Sequence, residues 1–117
     1  MRRLTHAMKL DLLWRSQAGV CAGCGLPVRR RLKRAHDPDA PSFDHVIPLA
    51  LGGSNGLANG LLKHVACNRA KGHSPPTGCD RIWLEAARVR RARLTQERKK
   101  AARSRTHGLA AATPLGN

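Results

Sequence analysis

Apolar positions recur through residues 4–16 without a glycine or proline, and Leu, Met and Ala are frequent there, so this stretch predicts a short helix that ends by Gly19. Asp11 interrupts its apolar face between Met8 and Trp14. Cys21-Ala22-Gly23-Cys24-Gly25 then reads as a tight turn whose small residues let two thiolates face one point. Val28 to Arg34 is a basic segment predicted as one arm of a hairpin, and Asp37-Pro38-Asp39-Ala40-Pro41 is a loop by its turn chemistry. Ser42 to Ile47 reads as a strand stopped by Pro48. Leu49 to Gly56, with Gly52-Gly53 and Asn55-Gly56, reads as a wide loop, followed by a second short strand from Asn59 to Lys63 and a helix from Val65 to Lys71. Gly72 to Gly78, with Pro75-Pro76, is a linker. A long helix is expected from Cys79 to about Arg105, with Thr77 three residues before Asp80 as its start signal. Its apolar stripe is Ile82, Trp83, Ala86, Ala87, Val89 and Leu94, beyond which the periodicity fades. Thr106 to Asn117 is predicted as a disordered tail, and no internal repeat is evident.

The 117 residues predict a single small α+β fold, organised as an N-terminal helix (1–20), a central core (21–73), a linker with a basic helix (74–105) and a tail (106–117). Aromatic residues are only 3%, with no Tyr and the single Phe43. At roughly 25 cal/mol per Å2 of buried apolar surface, so few large side chains build a marginal core, which a structural metal would reinforce.

Charge narrows the partners. The chain has 22 Lys and Arg against 7 Asp and Glu, a net charge of +15, which favours a polyanion through counterion release and steered encounter. The N-terminal stretch begins with basic residues and is interrupted by Lys9, Asp11 and Arg15, so it reads as neither a signal peptide nor a membrane span. A cytoplasmic location is expected, where four cysteines serve as metal ligands or free thiols rather than as disulfides.

Cys21-x-x-Cys24 and His64-x-x-Cys67 form two half-sites, each with a two-residue spacer, which is what a tetrahedral structural zinc requires. Cys79 competes with His64 for the fourth position, but it lies beyond the Pro-Pro linker and lacks a paired spacing.

Between the half-sites stand Asp44-His45 and Asn59, and Asn68 follows directly on Cys67. A carboxylate, an adjacent imidazole and two carboxamides are the parts needed to bind one hard divalent ion and activate a water beside it. In so basic a chain the matching substrate is a phosphodiester. The order of cysteine pair, Asp-His, Gly52-Gly53, Asn59 and Cys67-Asn68-Arg69-Ala70-Lys71-Gly72 resembles the HNH endonuclease family, in its zinc-containing form and in small phage-type members, from Cys21 to about Gly72.

The resemblance implies a ββα-metal (His-Me finger) core: two antiparallel strands joined by a wide loop, then a helix, around one divalent ion. It implies His45 as general base, a role suited to imidazole chemistry. It gives Asp44 and Asn68 as ligands of the catalytic ion, and Asn59 as the brace of the loop that orients His45. Relatives often have histidine where Asn68 stands, and a second Cys-x-x-Cys where His64 begins the pair. A carboxamide is a harder ligand than an imidazole, which shifts preference toward Mg2+ or Mn2+. Strand neighbours point to opposite faces, so Asp44 and His45 require a strand end or a local distortion.

Arg69 and Lys71, on the helix after the second strand, are expected phosphate contacts. So are Arg29, Arg30 and Arg31, and Arg88 and Arg91 of the long helix. His73 follows the motif closely enough to reach a DNA backbone. No stretch interleaves aromatics with these charges, so double-stranded DNA is the better expectation than single-stranded RNA. The reading is a metal-dependent DNA endonuclease; the alternative is a non-catalytic zinc-ribbon module that binds DNA or docks onto a larger protein assembly. Small nucleases resembling this chain serve in phage DNA packaging, mobile introns and restriction.

Overall fold

A computed structural model describes residues 3–31 and 37–112. Helix α1 (His6–Ser16) starts at Thr5, whose hydroxyl accepts the Met8 amide at 3.1 Å and satisfies one free N–H of the first turn. Strand β1 (Pro41–His45) pairs antiparallel with β2 (Gly60–His64), placing Phe43 opposite Leu62, Asp44 opposite Leu61 and His45 opposite Gly60. Helix α2 (Val65–Lys71) follows β2 directly, and α3 (Gly78–Ala112) closes the described chain. This is the strand, loop, strand, helix order of the expected α+β plan. The wide loop between the strands contains two single 3-10 turns, Leu49–Leu51 and Leu57–Asn59.

An isolated two-stranded hairpin is marginal in water, and here both faces are covered. Phe43 and Leu62 point to one side and pack with Leu13, Cys21 and Val28, bordered by Leu10 and Trp14 of α1. Leu61 points to the other and packs with Val46 and Ala22, bordered by Trp83 and Leu84 of α3. Gln17 substitutes for a third strand: its Oε1 accepts the Leu62 amide at 2.7 Å while Nε2 donates to the Leu62 carbonyl at 3.0 Å. The pairing groups of Leu62 that β1 does not use are thereby satisfied.

Three expectations change. Residues 28–31 form no strand; the hairpin is reduced to a single antiparallel bridge between Val20 and Pro27, in which the Val28 amide donates to Gly19 O at 2.8 Å, and Trp14 Nε1 donates to Val28 O at 2.9 Å; residues 32–36 lie outside the described residues. Helix α3 runs to Ala112, so residues 106–112 are helical where a tail is predicted, and residues 113–117 lie outside the described residues. Finally, α3 packs through Asp80, Trp83, Leu84 and Ala87, leaving Ile82, Ala86, Val89 and Leu94 of the expected stripe exposed. The cause is polar: Asp80 is drawn inward, which sets the helix rotation.

Candidate functional site

The zinc half-sites meet. The ligand atoms of Cys21, Cys24, His64 and Cys67 all lie within 4.8 Å of one another, a cluster that fits a structural zinc. Gly23 permits this closeness, since a Cβ there would stand 2.9 Å from Cys67 Cβ. His64 Nε2 lies 3.0 Å from Pro27 O, which can only accept, so Nε2 carries the proton and Nδ1 presents its lone pair 3.3 Å from Cys24 Sγ. Burial would push the Cys21 thiol up, but amide N–H groups of Cys24, His64 and Gly23 outweigh it and bring it down to about 7. Cys67 is pushed up to about 11 by burial and by the neighbouring Cys21 and Cys24. Thiols so unequal and so close are levelled by a dication, which takes all three as thiolates. Cys79 is exposed at the start of α3 and stands outside this cluster.

The loop after β1 is held by one side chain. Asn59 Oδ1 accepts the Ile47 amide at 2.8 Å, while its Nδ2 donates to Ile47 O at 3.0 Å and Ser54 O at 2.8 Å. Gly53 lies so near Ile47 that a Cβ would run into the Ile47 carbonyl. Asn59 therefore has loop-bracing contacts, but its bonds do not include the His45 ring. That ring is held by Asn55, whose Oδ1 lies 2.7 Å from His45 Nε2, and by packing on Phe43 at 4.7 Å between centroids. An amide oxygen only accepts, so Nε2 is protonated and Nδ1 is left as the basic nitrogen. Lys9 of α1 donates to Asn55 O at 2.9 Å and ties the loop to the helix. Sequence reading missed Asn55; its only signal is the Asn-Gly turn in the wide loop.

Strand β1 ends at His45, two residues short of the expected end, so the chain turns where Asp44 and His45 diverge. Phe43, Asp44, His45 and Asn68 line one cavity of about 190 Å3, together with Pro48, Leu49 and His73. Asn68 donates Nδ2 to Ser42 Oγ at 3.2 Å and to Phe43 O at 3.3 Å, which docks α2 on β1 and leaves Oδ1 out of both bonds.

Asp44 is buried at 1% exposure among charges. Its Oδ1 accepts Lys71 Nζ at 2.8 Å, and the same ammonium donates to His45 O at 2.9 Å and Val46 O at 3.0 Å. Its Oδ2 lies 2.9 Å from Lys63 Nζ, within ion-pair range, yet takes no directional hydrogen bond. Lys63 also faces Asp80 Oδ1 at 3.6 Å. Two carboxylates and two ammonium groups make a buried set of zero net charge. Removing one partner from such a set costs about 3–5 kcal/mol. Burial would lower the Lys63 pKa, but Asp44 and Asp80 raise it, so the ammonium persists. Burial would raise the Asp80 carboxyl; the Thr77 amide and Lys63 outweigh it and hold it below the usual range. Its contribution to stability is therefore present above the ordinary carboxylate range and is lost as pH falls.

The expected phosphate contacts divide. Arg29, Arg31 and Arg69 are exposed. Arg30 is engaged instead by Asp11, with Nε–Oδ1 at 2.7 Å, and stands over the Trp14 ring. Arg88 pairs with Glu85 on the surface, and half-buried Arg91 donates to Ser16 Oγ at 3.1 Å. Lys71 does not point outward as its phosphate role requires: the oxygens at the end of β1 draw its ammonium inside. His73 lines the Asp44–His45 cavity.

No helix among the described residues is long and apolar enough to cross a membrane. Residues 21–74, a little under half of the 117, match the family model described as HNH endonuclease. No curated protein matches the chain. Members of the matched family are in general DNA-binding nucleases.

Proposed function

We propose, on the premise that residues 21–74 of this chain belong to the HNH endonuclease family, that the protein is a metal-dependent endonuclease cutting or nicking double-stranded DNA. The observation that carries the reading is the convergence of Asp44, His45 and Asn68 on one cavity, with the His45 tautomer fixed by Asn55.

His45 Nδ1 is the proton acceptor for the attacking water. Its Nε2–H stays on Asn55 throughout, so the imidazolium that forms keeps its orientation and shares its charge with a fixed oxygen. Asp44 and Asn68 would hold a Mg2+ or Mn2+ ion. Their donor set fits one: all are hard oxygens, and Asp44 Oδ1 with two strand-end carbonyls already gathers on a cationic ammonium, while Oδ2 faces a second one on Lys63. When bound, such an ion supplies positive charge to the scissile phosphate and to the leaving 3′ oxygen. Asn59 keeps the loop, and with it Asn55, in place. Arg29, Arg31 and Arg69 remain available to phosphates, and the zinc cluster clamps the chain on both sides of the strand pair.

The test is cleavage of supercoiled plasmid. Nicked or linear product is expected with Mg2+ or Mn2+ and none after chelation of the added ion. Tight DNA binding without cleavage under every ion condition would establish the zinc-ribbon binding module instead.

Asn55→Ala should reduce the turnover rate by about tenfold or more while leaving DNA affinity unchanged, because a base loses its tautomer and orientation but stays present. Single-turnover kinetics on saturating DNA reads this directly. An unchanged rate would remove Asn55 from the mechanism.

Helix α3 beyond Leu94 is exposed through residue 106 and carries Arg98, Lys99, Lys100, Arg103 and Arg105. Truncation after Leu94 should weaken DNA binding and flatten its salt dependence, by about 0.9 in log–log slope for each phosphate the shortened helix no longer neutralises. Cleavage-site preference should not move, since phosphate contacts carry no base information. An unchanged salt slope would assign the segment to a protein partner or to solvent.

A further inference from the structure

Helix α3 leaves Ile82 70% exposed while burying Asp80 to 6%, the reverse of simple hydrophobic sorting. Capping does not explain it. Asp80 accepts the Thr77 amide at 2.9 Å and Thr77 Oγ accepts the Asp80 amide at 3.1 Å, a reciprocal box that works equally well on a surface. What is particular to the inward position is Lys63, whose ammonium stands between Asp80 and Asp44. A buried ammonium requires anionic partners, and with Asp80 present Lys63 is shared by two carboxylates. Without it, Lys63 would belong to Asp44 alone and hold that carboxylate toward β2, away from the cavity lined by His45 and Asn68.

We propose that Asp80, outside the family-matched segment, is a positioning residue that sets the divalent-ion affinity of Asp44 by sharing Lys63. The inference rests on the reading of Asp44 as an ion ligand. It makes the first turn of α3 part of the active-site construction rather than an appendage for DNA.

Mn2+ binding to the zinc-loaded protein without DNA, followed by the electron paramagnetic resonance of free Mn2+, tests it. Asp80→Asn, which keeps a capping oxygen, should weaken Mn2+ about tenfold, the scale of the Lys63 ammonium passing from a shared partner to Asp44 alone. Asp80→Glu should restore most of the affinity. In a Lys63→Met background, Asp80→Asn should change affinity by less than about threefold, because its intermediary is gone. Zinc content and melting temperature report folding for each variant. A tenfold loss that persists in the Lys63→Met background would mean that Asp80 acts on the ion directly and would overturn the proposal. So would an Asp80→Asn protein that melts earlier but binds Mn2+ unchanged, which is the behaviour of a helix cap alone. Asp44→Asn separates the two readings: undiminished Mn2+ binding by that variant overturns the ligand assignment and this inference together, whereas its loss beside an unaffected Asp80→Asn overturns only the inference.

Discussion

His45→Ala should lower DNA cleavage by about a hundredfold to ten-thousandfold, the usual contribution of a positioned general base. The rest of the protein should hardly register the change. His45 is half-buried at the end of β1, and its ring contacts are Asn55 and the Phe43 face, so its loss removes no zinc donor and little core. DNA affinity, zinc content and melting temperature are therefore expected to stay close to wild type. A buffer base of small size, such as imidazole, should recover part of the rate if the alanine leaves room beside the cavity of about 190 Å3. Cleavage at the wild-type rate would displace His45 from the mechanism and turn attention to His73, the other imidazole lining that cavity.

How much of this was legible in the sequence depends on which force decides each element. The β1–β2–α2 unit was legible because glycines and prolines punctuate it and because short strands alternate their faces: Phe43 and Leu62 go to α1, Leu61 to α3. The zinc cluster was legible because two-residue spacers are a local geometric requirement, and all four named donors converge. The packing face of α3 was legible only in part. Apolar periodicity chose Trp83 and Ala87, which do pack, together with Ile82, Ala86, Val89 and Leu94, which do not; the inward face also carries Asp80 against Lys63, and a charge pair separated by 17 residues leaves no periodic trace. The inward course of Lys71 left no trace for the same reason, since a lysine in the last turn of a helix suggests a surface contact until the strand-end carbonyls of His45 and Val46 are seen around it. Asn55 escaped because a turn residue in an Asn-Gly pair is already explained by turn chemistry.

Loss of zinc is expected to unfold the protein, the largest stability effect in this chain. Its two apolar clusters are small, built on Leu13, Val28, Phe43 and Leu62 to one side and Val46 and Leu61 to the other. Structural zinc in comparably small domains contributes about 10–16 kcal/mol of apparent binding free energy at neutral pH, more than a core of this size supplies. The cluster also joins segments far apart in the chain, beside the Gln17 and Ala22 bonds to Leu62. Cys21 and Cys24 belong to the turn after α1, whereas His64 ends β2 and Cys67 lies in α2. Cys67→Ser should therefore abolish cooperative thermal unfolding and zinc uptake together. Metal analysis of protein purified without added zinc should find one tightly held zinc per chain. His64→Ala should lower zinc occupancy, and Cys79→Ser should leave it intact because that thiol lies outside the cluster. Acid should release the metal, since protons compete for the same thiolates, Cys67 with its raised pKa of about 11 foremost. A Cys67→Ser protein that stays folded without zinc would show that the apolar clusters suffice, and would reduce the metal to an accessory of the fold.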